Sequence, residues 1–458
     1  MKKTIIVGLD GATFDLMGPW MDDGTLPVMA EVRDRGAWGV LTSTVPPFSA
    51  PAWTSAVTGV GPGRHGIYDF FRLDTYEYRM ITSTCRRAPA IWNVLDHLGG
   101  RSIIVSVPGT YPPEPIKGVM ITGLLTPSRS TDFIHPPELR PEVADLEVES
   151  WWDQLPLTIY SSYAPEKVLE ILLERVEAKM KVLRCLMREQ EWDLTMVVLR
   201  GTDCIQHFLW RERALIRRLY ERIDALIGGL MEDYPQGTLV ILSDHGFQPV
   251  ERCFYVNNLL YDAGLLSTTQ HPRLNRQYLS LGLGKRLGRF LTYFLPIERL
   301  LRSDWANHLF TSVSTNTSYI DFAHTRAYCH SATSRGIRVN LKGREAQGAV
   351  RPRDYERVRE EVAQLLREVR DPETGRLIVR RVQWPEEVYG FRDDQSADLL
   401  FEMERGYGAL ELVMPTENVV DNFRSFDRQL GFAAPTDEYE LSGDHAPQGV
   451  LLMRGEGI

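Results

Sequence analysis

Short apolar runs alternate with longer amphipathic stretches along most of this chain. The apolar runs with strand character span residues 4–9, 36–44, 102–107, 194–199, 238–242, 337–340, 399–402 and 450–453. The stretches in which apolar residues recur at helical spacing span residues 27–35, 90–98, 165–191, 205–232 and 354–369. Such alternation of strands and helices is typical of the α/β class, with a mostly parallel central sheet.

Two stretches depart from this pattern. Residues 125–162 are rich in proline, serine and acidic residues, which predicts an irregular excursion from the core. Residues 265–330 contain scattered glycines and few strand signals, which predicts an inserted cap, with residues 1–264 and 331–458 forming the core. Within that cap, the basic amphipathic segment 279–302 is interpreted as a helix that packs on the core, the alternative being contact with a membrane surface.

The stretch from Thr44 to Gly59 combines an extended start with a helix. Two consecutive prolines exclude a helix at its start, and Ser49 then stands where an N-cap residue would, with Pro51 in the first turn. Small and apolar residues continue the helix until Gly59 ends it. Ser49 is therefore expected at a helix N-terminus, a position that favours anions. A plain serine cap is the alternative.

Acidic residues follow three of the apolar runs. Asp10 and Asp244 come directly after strands, and Asp203 follows a third strand four residues after its end. In open α/β sheets, ligands bind outside the carboxyl ends of the strands. A single aspartate there often only opens a turn, but three of them, with Ser49 after a further strand-like run, indicate a site.

Histidines sharpen this prediction. His207 lies four residues after Asp203 at the start of a helix, His245 adjoins Asp244 in a turn, and His445 lies in a turn-rich stretch before the last strand. Asp and His donors in this number suit two cations with mixed nitrogen and oxygen ligation. That mixture favours Zn²⁺ or Mn²⁺ over Mg²⁺, and a metal pair suits phosphoryl transfer.

The other histidines receive structural interpretations. Four of them are expected at the surface or in structural roles: His97, His135, His271 and His308. His324 and His330 flank Arg326 near the predicted junction of cap and core, and they are candidates for substrate contact. His65 lies in a turn soon after the Ser49 helix and is interpreted as structural.

Composition excludes several classes of protein. The formal net charge of −9 argues against a nucleic-acid-binding surface. The five cysteines are scattered and form no CxxC, so we expect no disulfide framework, and a reducing cytoplasm fits best. The first apolar run ends at Asp10, too soon for a signal peptide, and no apolar run is long enough for a transmembrane helix.

Taken together, the motifs resemble a known superfamily. They are Gly-Leu-Asp-Gly at 8–11, Ser-x-Pro at 49–51, Val57-Thr58-Gly59, Arg64-His65-Gly66-Ile67, Asp203-x-x-x-His207, Ser243-Asp244-His245-Gly246 and His445. In this order they resemble the alkaline phosphatase superfamily, and within it the type I phosphodiesterase/nucleotide pyrophosphatase branch. Within that branch, the chain looks like the prokaryotic phosphohydrolase/phosphomutase-like proteins. The resemblance implies an alkaline-phosphatase-like three-layer sandwich.

The resemblance also implies a division of roles. One ion would be held by Asp10, Asp244, His245 and the Ser49 oxygen. The other would be held by Asp203, His207 and His445. Ser49 would be the nucleophile that is transiently phosphorylated, because metal coordination supplies the activation that a free serine hydroxyl lacks.

Departures from the family pattern bear on which substrates are expected. Nucleotide pyrophosphatases usually have threonine as nucleophile and an asparagine further along that contacts a phosphoryl oxygen, whereas no asparagine occurs at positions 50–53 here. Charge stabilisation would then come from the Ala50 N–H, Arg64 or Arg338. Sulfatases carry arginine where this chain has Trp53, so sulfatase activity is not expected.

Three functions are compatible with these features. The first is a two-metal phosphohydrolase, in particular a phosphodiesterase acting on a small phosphate ester. The second is a cofactor-independent phosphomutase, which needs a closing cap such as residues 265–330. The third is a non-catalytic binding protein, which the complete set of chemically competent ligand positions disfavours.

Overall fold

The computed structural model describes residues 2–127, 130, 132–143, 164–269, 319–411, 419–422 and 442–458. The strands are β1 Thr4–Leu9, β2 Ala37–Thr42, β3 Ser102–Val107, β4 Gly118–Thr122, β5 Ile134–His135, β6 Leu194–Leu199, β7 Thr238–Leu242, β8 Gly246–Tyr255, β9 Ala327–Tyr328, β10 Gly336–Val339, β11 Val379–Gln383, β12 Leu399–Met403, β13 Gly406–Leu410, β14 Val420–Asn422, β15 Gly443–Ala446 and β16 Gln448–Arg454. The helices are α1 Phe14–Asp22, α2 Pro27–Arg35, α3 Ser49–Thr58, α4 Pro62–His65, α5 Ile91–His97, α6 Pro165–Glu189, α7 Gly201–Leu209, α8 Arg213–Asp233, α9 Val256–Asp262, α10 Tyr355–Glu368 and α11 Pro385–Tyr389. Short 3₁₀ turns are Ser83–Cys85, Pro137–Val143, Ala332–Ser334 and Pro352–Asp354.

The chain divides into two compact units. The first consists of Met1–Ile67, Ile81–Gln248 and Leu441–Ile458, and the second consists of Tyr68–Met80 and Pro249–Glu440. The second unit thus takes in the described residues of the predicted cap, 265–269 and 319–330, together with neighbouring stretches that the sequence pattern assigned to the core. Residues 270–318 lie outside the described residues, so the cap and its amphipathic segment 279–302 remain predictions.

The first unit is built on one large sheet. Its described strands follow the order β2-β16-β7-β1-β6-β3-β4-β5. The five central strands β7, β1, β6, β3 and β4 are parallel, while β16 is antiparallel to both of its neighbours and β5 is antiparallel to β4. The predicted α/β class with a mostly parallel sheet is confirmed.

Both faces of this sheet are covered. All residues of β3 and β6 are buried, which explains why they are continuous apolar runs and do not alternate with polar residues. On one face, Trp53 of α3 and Trp92 of α5 pack with Ile104 and Met196. Helix α6 contacts β3 and β6 and also packs against α7 and α8.

The structure differs from the sequence prediction between residues 205 and 232. One continuous helix was expected there, but α7 ends at Leu209 and α8 begins at Arg213. The backbone N–H of Trp210 donates to Ser442 Oγ at 2.9 Å, and the Trp210 ring stacks on Phe247. These tertiary partners end the helix where local propensity would have continued it.

The second unit has its own sheet and core. Strands β11, β12, β10 and β9 form an antiparallel sheet in that order, and helix α10 packs against it. A smaller sheet contains β13, β8 and β14.

Part of the predicted excursion, residues 132–143, contains β5 and a 3₁₀ turn, and residues 144–163 lie outside the described residues. No helix of the described residues is long and apolar enough to cross a membrane.

Close packing on β1 gives a test of this core. A Cβ atom on Gly8 would lie 2.4 Å from Trp53 Cη2 and 2.9 Å from Val198 Cγ2. We expect Gly8→Ala to lower the free energy of unfolding by about 1–3 kcal/mol, because a buried ring and strand must shift. Urea denaturation measures this difference.

Gly18→Ala is the matched control, since nothing lies within 4 Å of a Cβ at Gly18 in helix α1. Alanine favours a helix over glycine, so this variant should be as stable as the wild type or slightly more stable. Equal stability of the two variants would contradict the packing described for β1.

Candidate active site

Parallel register brings the three aspartates to one edge of the sheet. In β1, Leu9 aligns with Leu199 of β6, and Gly8 aligns with Leu242 of β7. The residues that follow these strands therefore leave the sheet side by side. Side chains fix the turns: Thr202 Oγ1 donates to the Asp10 carbonyl at 2.6 Å, and the Gly11 N–H donates to Asp244 Oδ1 at 3.2 Å.

Ser49 is placed by the start of helix α3. The predicted N-cap role is wrong, because Phe48 occupies the N-cap position in extended conformation and Ser49 is the first helical residue. The Ser49 hydroxyl instead lies 3.3 Å from Asp10 Oδ1 and 3.4 Å from His245 Nε2. The predicted end of the helix is confirmed, since Gly59 adopts φ of +68° after Thr58.

One group of side chains converges on Asp203. Asp203 Oδ1 lies 3.1 Å from His445 Nε2 and 3.3 Å from His207 Nε2. The two ring nitrogens are themselves 3.1 Å apart. We call Asp203, His207 and His445 the histidine-pair group.

A second group surrounds His245 and Ser49. His245 Nε2 lies 3.2 Å from Asp244 Oδ2 and 3.6 Å from Asp10 Oδ1. We call Asp10, Ser49, Asp244 and His245 the serine group. Donor atoms of Asp10, Asp203 and His245 also lie within 4.8 Å of one another, so Asp203 lies between the two groups.

Backbone carbonyls fix the tautomers of the three histidines. Each Nδ1 faces a carbonyl oxygen: His207 that of Gly443 at 3.1 Å, His245 that of Gly246 at 3.0 Å, and His445 that of Pro47 at 3.1 Å. We therefore assign the Nδ1–H proton to each ring. In the neutral rings the Nε2 lone pairs then point at the carboxylates, as in metal sites whose histidines are oriented from outside.

Burial and mutual repulsion shift the pKa values of the carboxyl groups. Burial, with the nearby charges of Asp244 and Asp203, raises the pKa of Asp10 well above its ordinary value. Burial raises the pKa of Asp244 to about 8. Burial also acts on Asp203, but the His207 and His445 rings outweigh it and hold the pKa of Asp203 well below its usual range.

The pKa values of the three histidines shift in different directions. Burial lowers the pKa of both His245 and His445 to about 4, so these rings are neutral near pH 7. Burial would also lower the pKa of His207, but the Asp203 carboxylate outweighs it, and the net pKa of His207 is raised. The Asp203 carboxylate thus favours a positive charge among the Nε2 atoms, either a proton on His207 or a metal ion.

The donor set fits divalent metal ions. Asp244 Oδ2 is buried and accepts no hydrogen bond among the described residues. A buried carboxyl oxygen without a donor is costly unless the group is protonated or a cation is bound near it. Imidazole nitrogen with carboxylate and hydroxyl oxygen is the mixture that suits Zn²⁺ or Mn²⁺.

Comparison with known proteins decides the family. The sequence model of the type I phosphodiesterase/nucleotide pyrophosphatase family matches residues 4–447. The chain belongs to this family. It is accordingly a phosphoester hydrolase.

Solved structures agree with this assignment at the level of the fold. Phosphonoacetate hydrolase from Sinorhizobium meliloti, solved with phosphonoformate, has a TM-score of 0.58 and 16% identity over 99% of this chain and 89% of that chain. Human ectonucleotide pyrophosphatase/phosphodiesterase 5 has a TM-score of 0.50 and 13% identity, covering 99% of this chain and 88% of its own. The predicted alkaline-phosphatase-like fold is confirmed. None of the curated proteins matches the chain in sequence.

The predicted substrate contacts of this phosphodiesterase-family chain have different surroundings. Ala50 is buried in the first turn of α3, where backbone N–H groups have no partner within the helix. Arg64 is exposed in α4 of the first unit. Arg338 is buried in the second unit, where its guanidinium donates to Glu345 and to the Ser396 carbonyl. All three roles remain predictions.

The remaining histidines lie outside the two groups. His65 is buried, accepts the Ile67 N–H on Nδ1 at 3.1 Å and lies 2.8 Å from Ser55 Oγ, which is a structural arrangement. His330 is buried in the second unit and stacks on Tyr78, while His324 is exposed and pairs with Asp321. His97 is exposed and His135 is half-buried, while His271 and His308 lie outside the described residues.

Two residues in contact with the aspartates were not identified as site residues from the sequence. Trp53 Nε1 donates to Asp10 Oδ2 at 3.1 Å. Arg200, which directly follows β6, lies beside both Asp10 and Asp203. The only signal for Arg200 was its position at a strand end where acidic residues were expected.

The raised pKa of Asp244 predicts how stability depends on pH in chelator-treated protein. With a folded-state pKa of about 8 against an ordinary value of 3.8, the folded chain binds more protons than the unfolded chain between these values. Stability is therefore lost as the pH rises, and the raised pKa of His207 adds a loss of the same sign. We expect the free energy of unfolding to fall by roughly 1 kcal/mol per pH unit between about pH 7 and 8.

Urea denaturation of wild type and Asp244→Asn measures this slope. The variant lacks the titrating carboxyl, so its slope should be clearly smaller. The window lies above the range in which His245 and His445, with pKa values of about 4, make stability rise with pH. Parallel slopes for the two proteins would contradict the raised pKa of Asp244.

Proposed function

We propose that this chain is a two-metal phosphohydrolase, specifically a phosphodiesterase that acts through a phosphoserine on Ser49. The observation that carries this proposal is the convergence of three imidazole Nε2 atoms and the aspartate carboxylates beside the Ser49 hydroxyl. Zn²⁺ is the preferred ion and Mn²⁺ the alternative, in keeping with the mixed donors. A cytoplasmic location is part of the proposal.

Each group would hold one ion. The histidine-pair group would supply Asp203, His207 and His445. The serine group would supply Asp10, Asp244, His245 and the Ser49 oxygen. Bound ions would supply positive charge that favours the deprotonated serine and the anionic oxygens of phosphoryl transfer.

The chain's own residues prepare Ser49 for attack. Its side chain is buried at the N-terminus of α3, where the helix dipole and unpaired N–H groups favour negative charge. Asp10 and His245 orient the hydroxyl from two sides. The Ala50 N–H and Arg64 are the proposed contacts to substrate oxygens.

The substrate we propose is a small phosphate ester. Family membership favours a diester substrate. Because no asparagine occurs at positions 50–53, we propose a diester other than the usual nucleotide substrates. The alternative is a cofactor-independent phosphomutase, in which the phosphoserine passes its phosphate to a second hydroxyl.

Ser49 variants test the proposed mechanism. We expect Ser49→Ala to lower kcat at least about 10³-fold while two ions stay bound, because the nucleophile is lost and six protein ligands remain. Ser49→Thr should keep part of the activity, since a hydroxyl remains at the same position. Steady-state kinetics on bis(p-nitrophenyl) phosphate, with metal analysis of each sample, measures both effects.

Thr58→Ala is the matched control, because its hydroxyl lies on the same helix and donates to the Thr54 carbonyl. Rapid quenching should recover Ser49 esterified with p-nitrophenyl phosphate from the wild type, because only one p-nitrophenol leaves in the first step. If Ser49→Ala turns over at the wild-type rate, the nucleophile is water and the phosphoserine must be abandoned. Release of p-nitrophenyl phosphate supports the diesterase, whereas an isomerised sugar phosphate from a monoester screen would favour the mutase.

A further inference from the structure

A buried arginine lies between the two candidate metal groups. Arg200 follows β6 and occupies the N-cap position of α7, and its side chain is 6% exposed. Its Nε lies 3.7 Å from Asp10 Oδ2, and its Nη2 lies 3.6 Å from Asp203 Oδ2. Nη2 also lies 3.8 Å from Cys204 Sγ, one turn further along the helix. The guanidinium thus approaches one carboxylate of each group.

The two oxygen atoms of each of these carboxylates have different neighbours. Asp10 Oδ1 faces the Ser49 hydroxyl and His245, whereas Asp10 Oδ2 faces Trp53 and Arg200. Asp203 Oδ1 faces His207 and His445, whereas Asp203 Oδ2 faces Arg200. In both aspartates, Oδ1 is directed to the other candidate ligands and Oδ2 to the arginine.

The positive charge of Arg200 offsets the repulsion among the buried aspartates. Asp10, Asp203 and Asp244 are close together and buried, and burial weakens the screening of their repulsion. Groups outside a metal site that hold the ligating carboxylates set their orientation, and their loss is typically costly. Arg200 is the residue whose charge reaches both halves of this site.

We propose that Arg200 is a positioning residue that couples the two metal groups by holding the Oδ2 atoms of Asp10 and Asp203, so that each aspartate presents Oδ1 to its ion. This proposal rests on the two-metal function proposed above. It assigns Arg200 no contact with substrate.

The shape of arginine suits this role better than that of lysine. Two different nitrogen atoms of one rigid guanidinium approach the two carboxylates, and a single ammonium is a point charge that cannot reproduce this fork. Arginine also stays charged when buried. Nearby, burial and the charge of Arg200 lower the pKa of Lys179 to about 7, so Arg200 is the permanent cation of this region.

Cobalt-reconstituted protein tests the proposal. Arg200→Lys keeps a charge but loses the fork, and Arg200→Met loses both. We expect two Co²⁺ ions per chain in each, with a weaker visible absorption band because the freed Oδ2 of Asp203 raises the coordination number, while Trp53 still holds Asp10 Oδ2. The kcat should fall roughly 10- to 100-fold in Arg200→Met and less in Arg200→Lys, with KM nearly unchanged.

Arg222→Met is the matched control, because Arg222 is half-exposed and pairs with Glu177 at 2.7 Å on the surface. It should keep the wild-type spectrum and kcat. A wild-type spectrum and kcat in Arg200→Lys would overturn the positioning role, even if Arg200→Met failed to fold.

Failure of the two-metal function would give a different result. Wild-type protein that binds no Co²⁺ would contradict that function, whatever Arg200 does. Crystal structures of metal-free wild type and Arg200→Lys would then decide the positioning role alone. Rotation of the Asp10 and Asp203 carboxylates in the variant supports the role, and unchanged carboxylates overturn it.

Discussion

The structure of the candidate site depends on one electrostatic constraint. Three carboxyl groups and the rings of His245 and His445 are buried at one edge of the sheet beside the partly buried ring of His207, and the Nδ1–H groups of the rings face backbone carbonyls. The Nε2 lone pairs must therefore meet carboxylate oxygens. Such a cluster must be neutralised, either by protons on its carboxyl groups or by bound cations. Burial and mutual repulsion shift the pKa values of these groups. The buried Arg200 places a positive charge beside two of the carboxylates.

The fold meets this constraint through the parallel strands at the centre of the sheet. Because β1, β6 and β7 share a register, the residues after them emerge at the same edge although they are far apart in sequence. Helix α3 adds Ser49, and the stretch before β16 adds His445. Ser49, Asp203, His207 and His445 lie in helices or strands of the first unit. Asp10, Asp244 and His245 lie in the turns that directly follow β1 and β7, so the strand ends fix their positions.

Much of this architecture was predictable because its signals are local. Strands β1, β6 and β7 were predicted with the observed boundaries, since buried parallel strands are continuous apolar runs. The break between α7 and α8 was not predictable, because the partner of the Trp210 N–H is Ser442, far along the chain. The position of Ser49 as the first helical residue and the role of Arg200 were likewise not predictable from local sequence. Their side-chain directions depend on groups from other strands.

The most direct test of the central claim is a crystal structure of zinc-loaded protein with anomalous data at the zinc edge. The account predicts two anomalous peaks per chain. One should be bonded to Asp203 and the Nε2 atoms of His207 and His445, and the other to Asp10, Asp244, His245 Nε2 and the Ser49 oxygen. An ordered chain with no peak at these residues, or with zinc bound through Nδ1 atoms, would contradict the account.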